Sequence, residues 1–125
     1  MKDLTSTGRI IYSITFFGFG INHFIQGNNM AGYVPPWLPV PVFWVYFVGL
    51  CLIAAGISII TRKYARLACL LLALLLLIII LTIHIPGLFN EQTMMMSMTN
   101  LLKDLGLMGA ALVLAGVFGL PEPQK

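Results

Sequence analysis

The chain has 125 residues, 59% of them hydrophobic and 9% charged, with a net charge of +3 and a mean hydropathy of +0.96. Soluble domains are about half apolar and about a quarter charged, so seven Lys+Arg and four Asp+Glu are too few to coat a soluble surface here. This composition argues against a soluble enzyme, a disordered tail and, because the positive charge is scattered, a nucleic-acid partner; a single integral membrane domain over residues 1–125, in contact with the lipid bilayer, is expected.

A helix needs roughly 20 apolar residues to cross the hydrocarbon core, and four such runs are present. The first, about residues 8–25, is the most polar, with Tyr12, Ser13, Thr15 and Asn22. Its short core, residues 10–21, follows Lys2 and Arg9 as in a signal peptide, but no small-x-small cleavage site comes after it. It is therefore expected to be a retained span. The connection that follows is uncharged and carries Tyr33, Trp37 and four prolines in VPPWLPVP. Proline lacks the backbone donor of a helix interior, so this stretch is expected to lie at the membrane interface. There it acts either as an aromatic anchor or as a lid over the bundle mouth.

The second span covers about residues 42–61, the third about 66–85 and the fourth about 101–120. Cys51 and Cys69 fall at depths roughly 10 Å apart by helix rise, beyond disulfide reach, and read as inert buried thiols. Gly49 and Gly56 in span two, and Gly106, Gly109, Ala110, Ala115, Gly116 and Gly119 in span four, read as small residues for close helix packing. Lys2, Arg9, Arg62, Lys63, Arg66 and Lys125 all fall at one end of the spans. The positive-inside rule then places both termini in the cytoplasm of a cell (inner) membrane. The expected fold is all-α: a four-helix up-down-up-down bundle with a Pro/Trp-rich interfacial loop between helices 1 and 2.

Ionisable groups inside a membrane are costly and are functional candidates by default. His23 lies about 21 Å of helix beyond Arg9, and His84 about 27 Å beyond Arg66. Two helices thus bring a histidine to the outer half of the bilayer. Arg9, Ser13, Phe16, Gly20, His23 and Gly27 form one helical stripe holding the small and polar groups of span one, and it should face the bundle. His84 shares its stripe with Leu77, Ala73 and Arg66. A shared outer pocket is expected, with His23 and His84 converging, Asn22 and Lys103 as polar neighbours and residues 33–41, including Tyr33 and Trp37, as its roof. Asp104 joins it or pairs with Lys103 as a rim group. No metal is assigned. Two same-depth histidines suit hydrogen bonding to a quinone oxygen, proton transfer, a purely structural role or, least of these, axial ligation of haem, for which two histidines are a weak motif.

Taken in order, Gly8-Arg9, residues 18–24 (GFGINHF), the proline-rich residues 34–41, Gly49, residues 62–66, His84 and residues 103–109 resemble the DoxX family of small four-helix bacterial membrane proteins. The resemblance covers nearly the whole chain and implies a quinone-linked membrane redox subunit. Many members have an acidic residue shortly after the span-two glycine, whereas Gly49 is followed here by Leu50, Cys51 and Leu52. Two functions are therefore carried forward: a redox subunit that binds a lipophilic small molecule and works with a redox partner protein, and a non-enzymatic factor that assembles or stabilises a membrane partner. A small transporter is weaker, since no mid-membrane polar pair lines a path.

Overall fold

The computed structural model describes residues 2–119; Lys125 and the expected end of span four at Leu120 lie outside the described residues. The described chain is helical, without strands. Helix α1 (Lys2–Ile25) leads through the short α2 (Gly27–Met30) and a 3-10 turn (Ala31–Tyr33) into α3 (Pro41–Thr61). Helix α4 (Ala65–Ile79) continues through a π-helical segment (Ile80–His84) into α5 (Ile85–Gly87), and α6 (Met94–Phe118) closes the described chain. Residues 34–40 are not helical. Pro41 opens α3 at its first turn, where a missing N–H costs nothing.

Among the described residues, three helices are long and apolar enough to cross a membrane: Pro41–Thr61, Ala65–Gly87 and Met94–Phe118. Helix α1 has the length, with 24 residues, but Arg9, Asn22 and His23 lower its hydropathy. The fourth helix begins at Met94, about two turns before the expected residue 101. Residues 94–100 (MMMSMTN) are too polar in part to extend an apolar run, yet they contain neither Gly nor Pro to stop a helix.

The helices pair antiparallel. Arg9 on α1 meets the end of α3, while Gly20 meets Gly49 in its middle. Helix α4 runs against α6 in the same way, with Arg66 at Ala115 and His84 at Asp104. Tyr12 donates its hydroxyl hydrogen to the Leu107 carbonyl, tying α1 to α6. The core between them holds Phe16, Leu52, Ile59, Cys69, Leu72, Leu76, Ala111 and Ala115, all buried. Outside it, Phe43, Phe47, Leu50, Leu71, Leu74, Leu81 and Val113 are exposed. An apolar exterior of this extent suits lipid, not water.

The expected face of α1 is the buried one: Ser13, Phe16, Gly20 and Gly27 are buried, and Arg9 and His23 half-buried. The glycines of α6 differ from expectation. A Cβ added at Gly106, Gly109 or Gly116 would meet open space, because α6 packs through Ser97, Asp104, Ala111 and Ala115 instead. The close backbone approach is between α1 and α3, at Gly20 and Gly49. At the arginine end, the Arg9 guanidinium donates to the carbonyls of Ile59 and Ile60 at 3.0 and 2.8 Å. Arg66 donates to the Ala115 carbonyl at 3.2 Å. Each cation thus caps carbonyls in the last turn of a helix and complements its dipole; the Ala115 carbonyl also accepts from the Gly119 N–H.

Candidate functional site

At the opposite end of the helices, three elements bring four ionisable side chains together. The His84 ring lies in the π-helical segment and is 8% exposed; Asp104 on α6 is 5% exposed. His84 Nε2 donates to Asp104 Oδ2 at 2.7 Å. The other carboxylate oxygen, Oδ1, lies 3.7 Å from Lys103 Nζ. That ammonium in turn sits over the Phe19 ring of α1, 4.7 Å from its centroid, a cation–π contact. The Phe19 carbonyl accepts from His23 Nδ1 at 2.7 Å. Direct contacts between ionisable groups thus run from His84 to Asp104 and on to Lys103, and Phe19 stands between these and His23, its ring under the ammonium and its carbonyl on the imidazole.

These contacts set the hydrogen positions. A carbonyl only accepts, so His23 Nδ1 carries the hydrogen and a neutral ring presents Nε2 as an acceptor. His84 presents Nε2–H to the carboxylate, and Nδ1 is then the acceptor of its neutral ring. A carboxylate between an imidazole and an ammonium can hold or pass a proton without leaving the interior. Burying such a pair is costly and is offset only by close, hydrogen-bonded geometry.

The π-helical segment has a local cause. Pro86 lacks an N–H for the Thr82 carbonyl four residues earlier, and its ring crowds that carbonyl. The helix widens just ahead of it, over Ile80–His84. An extra residue per turn changes the face: His84 aligns with buried Ile80, Leu76 and Cys69, whereas Leu77 and Arg66 of its expected stripe are exposed. Such bulges are frequent at functional sites. Pro86, two residues after a histidine in a long apolar helix, is the signal in the sequence. Phe19 was likewise not anticipated; its position four residues before His23 is the intrahelical spacing that makes the carbonyl contact.

The other expected site residues fall as follows. Because α6 begins at Met94, Lys103 lies about 14 Å inside that helix and not at its start. Asp104 therefore belongs to the interior and binds His84 more closely than Lys103, so it is no rim group. Asn22 is exposed. Tyr33 reaches the first turn of α6, its hydroxyl 3.7 Å from Met96 Sδ. Trp37 is 72% exposed on the loop. Two open cavities of the molecule, of about 310 and 370 Å³, lie towards the arginine end.

A protein-family model described as DoxX matches residues 4–85. That range contains all but the first two residues of α1, the proline-rich connection, α3, α4 and His84. Searches of curated proteins and of solved structures each return no match.

Proposed function

The chain belongs to the DoxX family of membrane proteins, and from that premise we propose that it is a quinone-linked redox subunit of the cell (inner) membrane. In this reading all four long helices cross the bilayer up-down-up-down, α1 included, with both termini cytoplasmic. The polar stripe of α1 is then no obstacle, since it packs against α3 and α6 and not against lipid. Cysteines introduced at Asn29 and at Lys63 are expected to label oppositely with an impermeant thiol reagent in intact cells. Labelling of position 63 from outside reverses the orientation.

The observation that carries the function is the buried 2.7 Å His84–Asp104 contact, with Lys103 beside it and His23 on the far side of Phe19. Reducing a quinone to a quinol takes two electrons and two protons. The described side chains offer proton carriers, so a redox partner protein supplies the electrons. His23, half-buried at the end of α1, donates from Nε2 to a quinone oxygen in its imidazolium form, and the neutral ring left after proton transfer accepts from the quinol hydroxyl. The His84–Asp104 pair is a second proton store at the same end of the helices. Haem ligation fits less well, because His84 Nε2 is already engaged by a buried carboxylate.

Gentle extraction followed by absorbance and mass analysis of bound lipophiles tests this directly. A quinone retained at near-unit stoichiometry, and lost in His23→Ala, is the expected result. A reduced-minus-oxidised Soret difference would favour haem instead. A second reading, a non-enzymatic assembly factor, is favoured by the unpartnered face of α6 at Gly106, Gly109 and Gly116, where another helix could approach closely. It predicts no bound quinone and a co-purifying membrane protein.

A further inference from the structure

The arginine end carries a feature that the histidine cluster does not use. A cavity of about 310 Å³ is lined by Arg62, Tyr64, Arg66 and Phe118. Beside it, a furrow of about 370 Å³ runs between α3 and α4. The two share Tyr64 and Leu67 as walls, so one opens beside the other. The furrow is apolar. Small residues, Ala54, Ser58 and Ala68, share its lining with Leu71 and Leu75. From Tyr64 to Leu75 it follows about 16 Å of helix. Small side chains on two antiparallel neighbours leave this space because neither helix supplies bulk to fill it.

We propose that this pair of cavities is a binding site for one anionic phospholipid, with its phosphate against Arg62 and Arg66 and an acyl chain in the furrow. This rests on the reading that α3 and α4 cross the bilayer and is independent of what the histidine cluster does. Charge and shape agree along its length: two guanidinium groups stand at the mouth, and uncharged, mostly apolar side chains line the rest. Arg66 is held in place by the Ala115 carbonyl at 3.2 Å, which uses one of its five donors and leaves others for an anion. The connection that carries Arg62 is unusual in its backbone. Arg62 and Tyr64 both have positive φ, 66° and 54°, a conformation uncommon for residues with a Cβ and more so for a bulky one. It reverses the chain within three residues, setting Arg62 on the first cavity and Tyr64 on the wall that the two share. Basic pockets between membrane helices on the cytoplasmic side select anionic headgroups in this way.

Native mass spectrometry of the full chain in mild detergent, with added dioleoylphosphatidylglycerol or dioleoylphosphatidylcholine, tests the site. One phosphatidylglycerol is expected to remain bound at concentrations where phosphatidylcholine does not. Arg62→Gln should weaken it at least tenfold, and Arg62→Lys should recover part of the loss. Ala68→Phe, which fills the furrow and leaves both arginines, should displace the lipid as well. Equal retention of both lipids, or unchanged retention in Arg62→Gln and in Ala68→Phe, overturns the proposal. Competition by inorganic phosphate as effective as by the lipid also overturns it, because the furrow would then contribute nothing. Detergent removes any dependence on orientation, and retained quinone is read separately, so failure here leaves the proposed function standing.

Discussion

Asp104→Leu is expected to be the most destabilising single substitution in the histidine cluster. It leaves the buried imidazole of His84 and the ammonium of Lys103 without their carboxylate. Leaving the buried Nε2–H donor without its acceptor costs about 1–3 kcal/mol. The double variant His84→Leu/Asp104→Leu should recover most of that stability, since apolar replacements of a buried pair are often neutral, and Lys103, 41% exposed, can turn outward. Thermal unfolding in detergent, read by a thiol-reactive dye, reports both, because Cys69 is buried and Cys51 half-buried in the folded protein. The double variant also separates structure from function: stable, it should keep the quinone held by His23 while reduction of that quinone by the partner slows. A single Asp104→Leu variant that melts with the wild type would show that the buried His84–Asp104 hydrogen bond adds nothing to stability.

Gly20→Val is expected to separate α1 from α3. Its Cβ would lie 2.5 Å from Ile53 Cγ1 and 2.8 Å from the Gly49 carbonyl oxygen. The second of these is backbone, so relief requires the helices to move apart. Overpacking of this kind costs about 1–3 kcal/mol. His23 should move with it, because its Cβ rests on Gly49, 2.8 Å from where a Cβ there would stand. Loss of quinone retention should therefore accompany the loss of stability. Gly106→Ala is the matched control: it meets open space and should stay within about 0.5 kcal/mol of wild type. Equal melting of the two variants would refute the close approach.

Much of the helical framework is visible in the residues alone. Residues 70–81, almost unbroken Leu and Ile, mark the third helix, and VPPWLPVP marks a break that no helix can cross. The bundle-facing stripe of α1 is also legible, because small and polar residues on one face stand out against Ile and Phe on the others. The early start of α6 was not, since hydropathy ends where Ser97, Thr99 and Asn100 begin while helix formation does not. Gly106, Gly109 and Gly116 misled for a related reason, although Ala115 and Gly119 of the same set do stand at a close contact: small-x-x-x-small spacing says that a backbone can approach, not that one does.

Composition and charge placement by themselves determined that this is a membrane chain, which stretches are apolar enough to span, and that His23 and His84 lie near one end of their helices. Those are properties of single segments, and hydropathy or helix rise measures them one segment at a time. Only the tertiary structure decided that Asp104 faces His84, that Lys103 sits over Phe19 and that the tight glycines are Gly20 and Gly49. Contacts of that kind depend on how each helix is rotated about its own axis. A π-helical segment before Pro86 changes that rotation by adding residues to a turn. The 3.6-residue periodicity used to read faces from a sequence carries no record of such a shift, so the partner of His84 is settled where the helices meet.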